Sequence, residues 1–406
     1  MATDGPMKGV KVVEWAHAHM GPGAGMFLAD MGAEVIHVEE RGTGNSMRRF
    51  ESLWGHNFLL EQERNTFTED LLRNKRSISL DLNQPEAKEV LMRLVDDADV
   101  FLTNFRPAAG RKHGLDYESL SSRNPRLIYV RGTAYGERGP EKDSPGLEMM
   151  GLARGGLMLG SAPPEAEPVY PTMGLNDRLG SIGLLVSILA ALYAREQSGE
   201  GQMVGTSLLG WTLSLQAVAI SYSANVGKEI RPPARADQHD PMYNVYQLRD
   251  GVWIALGMVI HPEKFWPRLC RSLDLEELID DPRFADHESR FENHRELIEI
   301  LDRAFASLTW EEWEERSKRE EMIACRVNRL ADLTEDEQIE ANGYLVKREH
   351  PDLGEFWYVQ TPIEFEKTPV SIRSAAPHIG QHTEEILAEA GYSPDEIAGL
   401  QEREVV

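Results

Sequence analysis

Residues 9–40, GVKVVEWAHAHMGPGAGMFLADMGAEVIHVEE, decide the fold. Val10 to Trp15 is apolar and β-branched, Gly21 to Gly25 is glycine-rich, Met26 to Met31 is built of helix formers, and Ala33 to Val38 is apolar and β-branched again. Strand, loop, helix and strand in that order make a parallel βαβ unit. The theme returns downstream. Ser77 to Leu82 reads as a strand, Ala87, Val90, Leu91, Leu94, Val95 and Ala98 recur at helical spacing, and Val100 to Thr103 and Leu127 to Val130 read as two more strands. This alternation predicts an α/β protein with a Rossmann-like, doubly wound parallel sheet.

Between Gly132 and Gly174 the chain is rich in Gly and Pro, which suits loops over a ligand site. A long apolar helix is expected from about Leu179 to Arg195, then a strand-like Gln202 to Leu208. Residues 225–243, with Pro232-Pro233, read as a linker, and Val252 to Leu256 as the strand that begins a new unit. From about 262 to 342 the chain is acidic and helical, with Leu297, Ile298, Leu301, Ala304, Phe305 and Leu308 on one face. Thr309 and Glu312 match a capping box. The expected division is a large domain over 1–224, a linker and smaller α+β domain over 225–342, and a tail over 343–406 with short helices near 384–390 and 394–402.

At roughly 150 residues per domain, 406 residues make two or three domains. The 41% hydrophobic and 27% charged content is that of a globular protein and excludes collagen-like or low-complexity classes. A net charge of −24 repels phosphate backbones, so nucleic acid is excluded as a general partner, while a local basic pocket for one phosphorylated ligand stays open. Cys270 and Cys325 are too few for a disulfide framework and fit no zinc spacing, which favours a reducing compartment. The longest apolar stretch, Ile182 to Ala194, is shorter than the 18 or so residues a membrane span needs, and the opening residues 1–15 lack a leader pattern. The expectation is a cytoplasmic protein without a membrane partner.

Gly21-Pro22-Gly23-Ala24-Gly25 invites a dinucleotide reading, but that fingerprint requires glycine at 26, where Met stands, and Pro22 removes an N–H from the loop. The loop still suits an anion or oxyanion at a helix N-terminus. His17 and His19 alternate at a strand end, yet no downstream His and carboxylate pair has ligand spacing, so no metal is predicted. His19, directly before the glycines, is the better ligand contact. Asn74-Lys75-Arg76-Ser77 and Asn104-Phe105-Arg106-Pro107 are basic loops able to hold phosphates, although such tetrapeptides are commonly solvated turns. Asp177, between the Gly-rich stretch and the apolar helix, reads either as an N-cap or as a nucleophile kept ionised by the helix dipole. Glu148, in the preceding loop, is the second carboxylate.

Taken in order, these pieces resemble the class III CoA-transferases, the CaiB/BaiF family that includes formyl-CoA:oxalate CoA-transferase. The likeness runs from Gly9-Val10-Lys11-Val12-Val13-Glu14 and Gly21-Pro22 through Leu28-Ala29-Asp30-Met31-Gly32-Ala33, Asn74-Lys75-Arg76-Ser77 and Leu80-Asp81. It continues with Asn104-Phe105-Arg106-Pro107, Asp177, Ser198-Gly199-Glu200-Gly201-Gln202 and Gly380-Gln381-His382-Thr383. The resemblance implies transfer of CoA from an acyl-CoA to a free carboxylic acid, with no tightly bound cofactor, Asp177 as nucleophile, and His19 and Glu148 beside it. It implies CoA contacts at His19, Met20, Arg41, Leu80, Asp81, Asn83, Asn104, Phe105, Arg106 and Lys112. It also implies an interlocked homodimer whose large domain is built from both chain ends.

Several positions depart from the family pattern. His19 stands where formyl-CoA transferase has glutamine, Glu40 where the oxalate enzyme has a basic residue, and Cys325-Arg326 where Gly-Pro is common. The oxalate enzyme's glycine run has no counterpart between Asn225 and Gly257. Arg48, His56, Gln238 and His239 are polar residues open to acid selection. The alternative inside the family is an α-methylacyl-CoA racemase, which needs a His directly before the acidic residue; here Leu147 precedes Glu148. A non-catalytic CoA-binding protein is the reading outside it.

Overall fold

The computed structural model describes residues 5–406, so the first four residues of the segment searched for a leader lie outside it. Six strands, β1 (Lys11–Trp15), β2 (Glu34–Glu40), β3 (Arg76–Leu80), β4 (Val100–Thr103), β5 (Ile128–Thr133) and β6 (Met203–Ser207), form one sheet in the order β3-β2-β1-β4-β5-β6. Every pairing is parallel. The order reverses between β1 and β4, and in such sheets the crevice outside the strands' carboxyl ends at the reversal is where ligands bind. The helix Pro85–Asp96 shows why the elements form: proline opens its first turn, and Ala87, Val90, Leu91 and Val95 bury one face on the sheet side of the core.

The chain makes two compact units. The larger takes in the residues up to Leu157, Tyr170–Asn225 and Glu340–Val406; the smaller takes in Met158–Val169 and Val226–Ile339. The large domain expected over 1–224 is therefore interrupted at 158–169. In the smaller unit, β7 (Val245–Gln247), β8 (Trp253–Leu256) and β9 (Ala324–Arg326) form an antiparallel sheet. Tyr246, Trp266, Leu301, Phe305 and Trp313 fill its core. Thr309 caps the helix Trp310–Arg319, and Glu312 returns the bond in a full capping box. In the larger unit the tail adds a hairpin, β10 (Leu345–His350) with β11 (Gly354–Val359), that the periodicity did not suggest. Its helices send Ile386, Leu387 and Leu400 into the same core as Val13 and Phe101.

Four helices position the site: α1 (Met20–Asp30), α2 (Thr66–Leu71), α3 (Glu148–Arg154) and α4 (Leu175–Ser198). The glycines expected in a loop lie inside α1, because each marks a close approach. A Cβ at Gly21 would stand 2.7 Å from that of Ala16, one at Gly23 2.4 Å from Ser181 Oγ, and one at Gly25 1.7 Å from Glu14 Oε2. α4 starts before the expected Leu179 and runs 24 residues, 18 of which reach a mean hydropathy of 1.4, so by length and composition it is long enough to cross a membrane, unlike the shorter apolar stretch within it. In this fold it packs along α1, with Gly180 against Met20.

Candidate functional site

At the carboxyl ends of β1 to β4 the larger unit encloses a cavity of about 340 Å³. Phe105 stacks between Trp15, ring centroids 4.3 Å apart, and His17, at 4.5 Å, making an aromatic wall suited to a flat ring. Leu80, Asp81, Asn83, Phe105 and Lys112, all expected at the nucleotide, line this space. Lys112 Nζ reaches Asn83 Oδ1 at 3.2 Å across its rim. Glu39 lies at its floor. Burial opposes its charge, but hydrogen bonds from Arg48 and Ser77 hold its pKa down to about 2.

Other expected contacts are placed elsewhere. Arg41 donates to the carbonyl of Val406 at 3.1 Å and pairs with Glu404, so these two residues occupy its guanidinium. Met20 is buried against Gly132 and Gly180. Asn104 clamps the loop after β1, accepting from His17 N–H at 2.9 Å and donating to His17 carbonyl at 2.8 Å. Arg106 is the exposed N-cap of the helix Pro107–His113. Lys75 is buried against Glu14, and Arg76 pairs with Glu34, Glu385 and Glu389, so both cations of that basic loop are taken up by carboxylates. Arg48 is taken up by Glu39 and the carbonyl of Pro377. His56 is exposed on a hairpin, and His239 stacks on Phe291 in the smaller unit, 4.6 Å between centroids. The sequence reading passed over Arg49, which is exposed at the cavity edge; its signal was the Arg48-Arg49 pair closing the turn that Asn45 caps.

The carboxylates meet at the start of α4. Glu148 is the first residue of α3, not a loop residue, and is buried. One of its oxygens accepts from Tyr170 Oη at 2.7 Å and Gly174 N–H at 3.0 Å; the other accepts from Asn176 N–H at 2.9 Å. Gly174, with φ +77°, is the N-cap, and Asp177 is the third helical residue. The N–H groups at the start of α4 thus serve Glu148, and the helix dipole that was expected to keep Asp177 ionised does not hold its pKa down. Burial, and next the charge of Glu148, raise the Asp177 pKa to about 7 against the pull of Arg178. Arg178 itself forms an ion pair with Asp70.

His19 joins this group from the turn before α1. A Cβ at Gly174 would lie 3.0 Å from His19 Cε1, so glycine leaves the imidazole room beside the start of α4. Burial, then the Arg178 charge, lower its pKa to about 4, which keeps the ring neutral near pH 7. Its Nε2 is buried without a hydrogen-bond partner among the described residues, an arrangement that calls for an incoming group. Ser181 Oγ lies 2.8 Å from the carbonyls of both Met20 and Asp177, tying the two helix starts together. The two histidines therefore diverge: His17 lines the cavity, while His19 lies beside Gly174 at the start of α4.

The larger unit thus holds a cavity at the switch point of a parallel sheet and, outside that cavity's lining, a carboxylate of raised pKa and a buried neutral imidazole at two helix starts, an arrangement that marks an α/β enzyme. Residues 7–383 match CoA-transferase family III, and the chain belongs to that family. It is 30% identical to (R)-2-hydroxy-4-methylpentanoate CoA-transferase of Clostridioides difficile, over 98% of this chain and 99% of that one. It is 30% identical to succinyl-CoA–D-citramalate CoA-transferase of Chloroflexus aurantiacus, over 99% and 98% of the two chains. A CaiB/BaiF family protein from Brucella suis has the same fold, with a TM-score of 0.85 and 29% identity over 95% of this chain and 100% of that chain. The protein is thus an enzyme of the family III CoA-transferase class.

Proposed function

We propose that the enzyme moves CoA from an acyl-CoA to a free carboxylic acid, with Asp177 as nucleophile. The Asp177 carboxylate attacks the thioester carbonyl and the C–S bond breaks, giving an acyl-aspartyl anhydride and CoA thiolate. The thiolate attacks the aspartyl carbonyl, the first acid leaves as its carboxylate, and an aspartyl-CoA thioester stays behind. The acceptor carboxylate then attacks this thioester and expels CoA thiolate. Thiolate attack on the new acyl carbon releases the product acyl-CoA and restores Asp177. No net proton moves, so the cycle needs no general base. His19 Nε2 is the proposed hydrogen-bond donor to the tetrahedral oxyanions, in the tautomer that carries its proton there.

The observation that carries this reading is the raised pKa of Asp177 beside a Glu148 held by backbone N–H groups: one carboxylate is fixed, the other is basic enough to attack. The CoA nucleotide is proposed to lie in the cavity beside Phe105, with Lys112 and Arg49 at its phosphates. The racemase reading is disfavoured because Leu147, in the position of the second base, is apolar and 67% exposed. A homodimer working in the cytoplasm completes the proposal. Its support is the family likeness, two free cysteines, and a helix, Ala217–Val226, that buries none of its residues within one chain and exposes Val218, Tyr222 and Val226. Sedimentation at falling concentration should show one dimeric species.

The direct test is intact-protein mass spectrometry after incubation with a panel of acyl-CoAs, followed by hydroxylamine trapping and peptide mapping. A CoA or acyl adduct on Asp177, absent from Asp177→Ala, is the expected result. Solvent deuterium entering the acyl α-carbon without any adduct would favour the racemase.

A further inference from the structure

Ser52–Leu53 and His56–Asn57 pair as a short hairpin, leaving Trp54 and Gly55 as its turn. Both turn residues have positive φ, +53° for Trp54 and +78° for Gly55. Two-residue turns of this kind favour Asn-Gly or Asp-Gly, and a bulky side chain in the left-handed region is strained. Strain of this sort concentrates at ligand clamps and active sites. The Trp54 ring meets Tyr170 edge-on at 5.3 Å, yet the residue is 56% exposed. Tyr170 is fixed in turn by its bond to Glu148. Trp54 therefore stands one aromatic ring away from the carboxylate pair.

Charge argues in the same direction. Arg178, the cation acting on Asp177, is already paired with Asp70. Arg48, Arg64 and Arg73 are spoken for by Glu39, by Asp352 and Glu69, and by Asp30 and Asp70. A second carboxylate on the substrate would join Glu148 and Asp177 with each of these guanidinium groups engaged, while an apolar or aryl chain would gain burial on the exposed ring.

We propose that Trp54, backed by Tyr170, is the wall against which the substrate's acyl chain lies, and that it selects aryl-bearing monocarboxylic acids over dicarboxylic ones. This rests on the reading of Asp177 as nucleophile. The test follows the rate of Asp177 adduct formation by mass spectrometry with two probes, 3-phenylpropanoyl-CoA and succinyl-CoA. The parent enzyme should favour the aryl probe by about tenfold or more. Trp54→Ala should collapse that ratio by lowering the aryl rate alone, and Trp54→Phe should largely keep it. Equal or faster reaction of the succinyl probe, or an equal loss of both rates in Trp54→Ala, overturns the selectivity while leaving the nucleophile in place. Absence of an Asp177 adduct with either probe or any other CoA thioester overturns the nucleophile reading, and this inference with it.

Discussion

Glu148 accepts backbone N–H groups on either side of the α4 start, from Gly174 and Asn176, and its charge stands beside Asp177, whose pKa rises to about 7. The relationship divides labour between two carboxylates in the first turns of two different helices, Glu148 in α3 and Asp177 in α4. One is satisfied and fixed, the other burdened and reactive.

If Asp177 attacks as the carboxylate, the rate of its adduct formation should climb with pH through about 7 and level off above it. Glu148→Gln removes a neighbouring negative charge, so the midpoint should move toward acid. Single-turnover rates between pH 5 and 9 for both proteins measure this. A midpoint that stays put would assign the shift to burial alone. His19, with its pKa near 4, should add no limb to the profile above pH 5.

The same shift bears on stability. Asp177 has a folded pKa above the ordinary 3.8, so between about 4 and 7 the folded chain keeps a proton the unfolded chain has lost. Its contribution is complete below about pH 4 and lost as pH rises through 7. Asp177→Asn, which never ionises, should melt with the parent near pH 4 and be more stable at pH 8 by on the order of 1 kcal/mol, the full shift being discounted for the site's partial exposure. Thermal melts at the two pH values check both sign and size.

Binding of the nucleotide gives a third expectation. Arg49 is exposed at the cavity edge, and Lys112 spends one bond on Asn83. Arg49→Ala should raise KM for acyl-CoA about fivefold with kcat little changed, since a phosphate contact made equally in ground and transition states alters binding alone. The effect should shrink at high salt. Arg41→Ala, whose guanidinium is held by Val406 and Glu404, should do less.

The parallel sheet was legible because strands buried on both faces spell near-continuous apolar runs, as Val100 to Thr103 does. The C-terminal hairpin was not: β10 carries Lys347, Arg348 and Glu349 and offers no clear alternation. Asp177 and Glu148 stood out as carboxylates flanking a Gly-rich stretch. That Glu148 begins a helix, and that it rather than Asp177 receives the α4 N–H groups, depends on contacts 26 and 28 residues apart, which no local pattern encodes. Arg41 and Arg106 were expected at the nucleotide from the family resemblance; what no local pattern shows is that Arg41 bonds Val406 and Glu404 while Arg106 stands exposed.

The glycines of α1 misled the reading for a reason that can be tested. Lys75 and Glu14 are buried, with Nζ 2.7 and 2.9 Å from the two carboxylate oxygens and 2.7 Å from the carbonyl of Pro22. His37 Nδ1 adds a contact to Glu14 at 2.6 Å. Helical glycine costs about 1 kcal/mol against alanine, so Gly25 is kept for the room it leaves this pair. Gly25→Ala should therefore destabilise, by a few kcal/mol rather than the gain that propensity alone predicts, because its Cβ would stand 1.7 Å from Glu14 Oε2. Lys75→Met, which strands a buried carboxylate, should lose about 3–5 kcal/mol, and Glu14→Gln in the same chain should recover part of it. Urea unfolding of the three variants decides the matter. Since Lys75 also holds the Pro22 carbonyl, in the first turn of α1 beside His19, the rescued double variant should regain stability without regaining the full rate of adduct formation. Equal recovery of both would mean that the pair supports the fold and does not position the site.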